Sequence, residues 1–131
     1  MINIIKKVLN WFETHNKISW IITILIAIFI FYMSSKTFPP GIPGISYASY
    51  VYHLVIYFVL AFFLLISITR GKLDKKYLFF VVILISIGYG ISDEIHQFFV
   101  PGRSTAIRDV MFNSVGSLFG IGIYWFVRKK N

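Results

Sequence analysis

The stretch ISWIITILIAIFIFYMS, residues 18–34, carries no charged side chain and only three small hydroxyls, Ser19, Thr23 and Ser34. A helix needs about 20 mostly apolar residues, within a range of about 17–25, to cross the hydrocarbon core of a bilayer. This segment meets that length, and three others follow it, at about residues 50–68, 77–97 and 110–127. The third is purely apolar only to Ile91, so it reaches spanning length only if the helix continues through Ser92-Asp93-Glu94-Ile95-His96-Gln97. Periodicity alone does not separate one such segment from a buried soluble helix. Four in succession, joined by short Pro/Gly-rich or charged connectors, predict an all-α polytopic membrane protein. The expected form is four transmembrane helices in a compact bundle, one membrane domain over residues 1–131.

Composition agrees. Only 14% of the residues are charged and 57% are hydrophobic, whereas a soluble domain carries about 25% charged residues. A soluble fold of this size could not bury so much apolar surface. The chain has no cysteine, which excludes disulfides, thiol nucleophiles and thiolate metal sites. The net charge of +8 sits beside apolar segments rather than in a soluble basic module, so it reads as topology and headgroup contact, not nucleic-acid binding.

Residues 1–16 place Ile2, Ile5, Leu9 and Phe12 near one helical face, with Lys6, Asn10 and Glu13 elsewhere. Two readings stand: an interfacial amphipathic helix, or a solvated extension of the first span. No small-residue cleavage pattern follows the first apolar run, so a cleaved signal peptide is not expected. The segment Phe38-Pro39-Pro40-Gly41-Ile42-Pro43-Gly44 reads as an irregular loop.

Lysine and arginine counts set the expected orientation. Ten fall in the N-terminal segment, the second connector and the tail, which share one side if there are four spans. Three, Lys36, Arg103 and Arg108, fall on the other side. Both termini are therefore expected in the cytoplasm, in a multi-pass cell-membrane protein. Trp11, Trp20, Tyr77, Tyr124 and Trp125 suit an aromatic belt on that side, and Tyr47, Tyr50 and Tyr52 on the other.

This topology brings distant polar residues to one membrane depth, at the outer end. His53 and Tyr57 lie a turn apart on the second span. On the third, Asp93, His96 and Gln97 share a face, with Glu94 about 100° round. On the fourth, Asp109, Asn113, Gly116 and Gly120 form one stripe, with Arg108 beside it and Arg103 in the preceding connector. Ionisable groups in a bilayer cost about 2.5–3.5 kcal/mol at mid-depth, so they cluster. Three such stripes predict a polar cleft open to the outside.

Each element also has a structural reading. His53 with Tyr57, and Asn113, suit interhelical hydrogen bonds. Asp93 or Glu94 with Arg103 or Arg108 suits a surface clamp, and Gly116-x-x-x-Gly120 suits close helix packing. Two chemical readings stand beside these. His53, His96 and a carboxylate suit a divalent metal, though no His-Glu-x-x-His pattern is present and no cofactor is the primary expectation. Alternatively His53 and Glu94 serve as general acid and base while arginines hold a phosphate or carboxylate.

The block Asp93-Glu94-Ile95-His96-Gln97, Pro101-Gly102-Arg103 and Asp109-x-x-x-Asn113-x-x-Gly116-x-x-x-Gly120 resembles the signature of the VanZ-like family, as does His53-x-x-x-Tyr57. The resemblance covers about residues 47–127. Tyr50 departs from it, standing where the family often has Lys. The resemblance implies a small helical membrane protein of a family named for a protein that confers low-level teicoplanin resistance. The matching positions are His53, Tyr57, Asp93, Glu94, His96, Gln97, Arg103, Asp109 and Asn113.

The expected function is thus an outward-facing polar cleft that binds or modifies an amphipathic envelope component. Its partners are membrane lipids, lipid-linked envelope intermediates or a lipoglycopeptide, with a contribution to teicoplanin resistance. The alternative is a membrane-embedded hydrolase or transferase on a lipid headgroup or lipid-linked precursor. A transporter is disfavoured, because four spans without broken-helix signals in the cytoplasmic half offer no through path.

Overall fold

The computed structural model describes residues 1–37 and 46–129. The Pro/Gly loop expected between the first two spans lies outside the described residues. The described residues form five helices, in order α1 (Ile2–Thr14), α2 (Asn16–Ser34), α3 (Ser46–Thr69), α4 (Lys76–Phe98) and α5 (Ile107–Lys129). No strand occurs among the described residues. The last four helices are each long and apolar enough to cross a membrane. The helices outrun the apolar stretches that predict them: α3 begins at Ser46 instead of near Tyr50, and α5 at Ile107 instead of Val110. Backbone hydrogen bonding sustains a helix past the point where its side chains turn polar. For the same reason α4 does continue through the polar segment, to Phe98.

The burial pattern is that of a protein in lipid. Ile21, Ile24, Leu25, Ile28 and Phe29 of α2 point outward, while Ser19, Thr23 and Ser34 on the same helix are buried. Lipid is as apolar as leucine, so helix association relies on close packing and hydrogen bonds. Asn16 Nδ2 accordingly donates to the Ser67 carbonyl at 2.9 Å, and the Tyr89 hydroxyl to the Ala27 carbonyl at 2.6 Å. The α3–α5 pair packs most tightly. A Cβ added at Gly116 would collide with the Leu54 carbonyl oxygen, and one at Gly120 with the Phe58 carbonyl oxygen. Only hydrogen in place of a side chain allows that backbone approach.

The N-terminal segment answers to neither of its two sequence readings alone. The chain breaks at His15, which has φ −92° and ψ 51°, so α1 is not a straight extension of α2. It also docks: Leu9 and Glu13 are buried, and Phe12 packs on Phe63 of α3. Glu13, read as part of the polar face, accepts a hydrogen bond from the Tyr124 hydroxyl at 2.7 Å and from Arg128 Nε at 2.8 Å, and ion-pairs with Arg128. Tyr124 is fully buried there, not in an aromatic belt. Thr69 at the end of α3 reaches the same hydroxyl at 3.0 Å. One network thus ties α1, α3 and α5 together at the end opposite Asp93.

Candidate functional site

The other end holds the polar stripes. His53, Tyr57, Asp93, Glu94, Gln97, Asp109 and Asn113 are all buried, none more than 7% exposed. The open cleft predicted from the sequence is therefore a closed chamber at the level of these side chains. Its helices approach too closely to leave a gap. Gly90 of α4 makes room for this: a Cβ there would stand 3.2 Å from Asn113 Cβ and Nδ2 and 3.3 Å from Tyr57 Cε1.

His53 lies between two α5 side chains. Its Nδ1 is 2.8 Å from Asn113 Oδ1, and its Nε2 is 3.7 Å from Asp109 Oδ2. An amide oxygen only accepts, so Nδ1 is the donor. In the neutral ring Nε2 then keeps its lone pair, turned toward the carboxylates. One ring nitrogen of His53 and one oxygen each from Asp93 and Glu94 lie within 4.8 Å of one another.

The two adjacent carboxylates are held differently. Asp93 accepts hydrogen bonds from Ser34 of α2 and, at 3.2 Å, from Gln97 Nε2, which also donates to Ser34 Oγ at 3.0 Å. Glu94 Oε2 accepts from the Ala106 backbone N–H at 3.3 Å, across the α4–α5 connector. Gly102, with φ +78°, gives that connector its left-handed turn. Among the described residues Glu94 Oε1 has no hydrogen-bond partner, and neither have Asp109 Oδ1, Asn113 Nδ2 or the hydroxyls of Tyr52 and Tyr57. Buried polar atoms are normally paired, so five lone ones on the residues of one constellation are a strong departure.

Two residues on the predicted face go elsewhere. His96 stacks on Phe31 with ring centroids 4.6 Å apart, and its Nε2 lies 3.0 Å from Ser35 Oγ. It serves the α2–α4 contact, so a set joining His96 to His53 does not form. Arg108 is exposed, with no ion pair among the described residues. Arg103 is half-buried in the connector, its charge within electrostatic reach of Tyr52, Asp93 and Glu94.

Sequence reasoning missed Ser34 and Tyr52. Ser34 looked like an ordinary helix end, and Tyr52 like a belt residue, yet its hydroxyl is buried. Outside the chamber, α4 and α5 form a groove of about 340 Å³ lined by Glu94, Ile95, Phe98, Phe99, Ile107 and Val110 among others. Glu94 alone belongs to both groove and chamber.

The family model described as VanZ/LLP1 matches residues 19–128, which takes in α3 and α4 whole, α2 but for its first residues and α5 but for its last. The chain belongs to the VanZ/LLP1 family. No curated protein and no solved structure matches it. The matched span contains every residue of the VanZ-like motif, from His53 to Gly120, and leaves outside it α1 and the first residues of α2. The Glu13–Arg128 clasp therefore joins a segment beyond the family's match to the last residue within it.

Proposed function

We propose that this VanZ-like protein uses the Asp93 end, facing the outside of the cell, to bind an amphipathic envelope component. The observation that carries the reading is the place of Glu94, the carboxylate in the wall of a groove whose other lining residues, Thr105 apart, are apolar. An acyl chain fits along Ile95, Phe98, Phe99, Ile107 and Val110. The polar head then meets Glu94, with the exposed guanidinium of Arg108 next to Ile107 available to a phosphate or carboxylate. Lipids, lipid-linked precursors and lipoglycopeptides share this build, and the family resemblance points to teicoplanin as the agent to test.

Binding is favoured over hydrolysis or group transfer by His53. Both of its ring nitrogens face protein groups, Asn113 and Asp109, which leaves neither directed at the groove as a general base. The experiment is growth inhibition by teicoplanin in a host expressing the chain. The wild type should raise the inhibitory concentration, and Val110→Trp, which fills the groove, should remove most of that gain at matched membrane levels. An unchanged inhibitory concentration with the wild type would sink the reading.

A further inference from the structure

We propose that His53, Asp93 and Glu94 hold a divalent transition cation, with Asp109 at its edge. The inference deepens the binding reading, since it concerns the chamber behind the same groove. It stands on separate observations. The three potential ligand atoms come from two helices and converge within 4.8 Å. Imidazole with carboxylates suits Zn²⁺ or Mn²⁺.

Charge points the same way. Asp93, Glu94 and Asp109 are each more than nine-tenths buried, and buried carboxylates need compensation. Arg103 brings one positive charge to the rim. A divalent ion among the three acids supplies the rest. It also gives a partner to Glu94 Oε1 and to the Asp109 carboxylate; Glu94 Oε1 and Asp109 Oδ1 have none among the described residues.

His53 is prepared for this role. Asn113 Oδ1 accepts a hydrogen bond from Nδ1–H at 2.8 Å, the outer partner that a metal-binding histidine characteristically has, and this fixes the tautomer with the Nε2 lone pair free. The 3.7 Å between Nε2 and Asp109 Oδ2 is too long for a hydrogen bond. It is close to the separation of about 3.3–3.6 Å between two ligands bound tetrahedrally at about 2.0–2.2 Å.

The test uses the full chain, purified untagged in detergent, with His15→Gln and His96→Gln in the background so that His53 is the sole imidazole. Protein stripped with chelator is titrated with Zn²⁺ alone and with Mn²⁺ alone, with no lipid ligand present. Saturable uptake is expected, with a higher melting temperature and an imidazole-nitrogen coupling in the Mn²⁺ electron spin echo. Asn113→Ala should weaken affinity by about 10–100-fold. Absence of saturable uptake, or bound Mn²⁺ without nitrogen coupling, overturns the proposal whether or not a His53→Gln variant folds. Because no lipid enters the titration, a chain that takes up metal yet gives no teicoplanin phenotype sinks only the binding reading. A phenotype in a chain that takes up no metal sinks only this one.

Discussion

His53 Nδ1 and Asn113 Oδ1 stand 2.8 Å apart, from helices packed backbone to backbone, with both residues at most 2% exposed. Interhelical hydrogen bonds in membrane proteins couple by about 0.6 kcal/mol on average and up to about 1.7. A double-mutant cycle of His53→Leu and Asn113→Leu, read by reversible unfolding in detergent micelles, should show a coupling in that range. Additive losses would mean that the two side chains do not support one another.

Gly116 and Gly122 lie less than two turns apart on α5, yet they should respond oppositely to the same change. At Gly116 an added methyl meets the Leu54 carbonyl oxygen; at Gly122 it meets nothing within 4 Å. Gly116→Ala should destabilise by about 1–3 kcal/mol through overpacking. Gly122→Ala should be neutral or stabilise by up to about 1 kcal/mol, from helix propensity. Equal effects in unfolding experiments would contradict the close α3–α5 approach.

Much of the polar constellation was legible in the sequence, because helical spacing fixes angle and alternating spans fix depth. Those two coordinates suffice to bring His53, Asp93, Glu94, Asp109 and Asn113 together. They do not decide which neighbour a side chain at the edge of a stripe chooses. His96 is about 60° round the helix from Asp93, enough to meet Phe31 on α2. Nor do they show how close the helices come, so the expected cleft is a chamber. Glu13 was illegible for another reason: its partners Tyr124 and Arg128 lie 111 and 115 residues away, and nothing near Glu13 in the chain announces them.

The Glu13 clasp makes α1 part of the fold rather than a helix resting on the membrane surface. Hydrogen bonds to a charged group contribute about 1.5–3 kcal/mol. Glu13→Ala should cost about that much and should speed amide exchange across residues 2–14, as α1 leaves α3 and α5. Exchange rates in α1 unchanged by the substitution would show that its docking does not depend on the clasp.

Orientation decides which compartment the chamber and groove serve, and it rests on charge. Ten of the thirteen Lys and Arg residues lie in the N-terminal segment, the α3–α4 connector and the tail. All of these regions sit at the Glu13 end. Lys36, Arg103 and Arg108 are the three at the Asp93 end. Positive residues in short loops are retained in the cytoplasm, so the Asp93 end should face outward. The chain lacks cysteine, so single replacements report without background. Ser104→Cys, exposed in the α4–α5 connector, should react with an impermeant maleimide on intact cells. Lys72→Cys, exposed in the α3–α4 connector, should react only after the membrane is opened. The reverse pattern would turn the groove and its Glu94 mouth toward the cytoplasm, and with them any ligand drawn from the outer envelope would be out of reach.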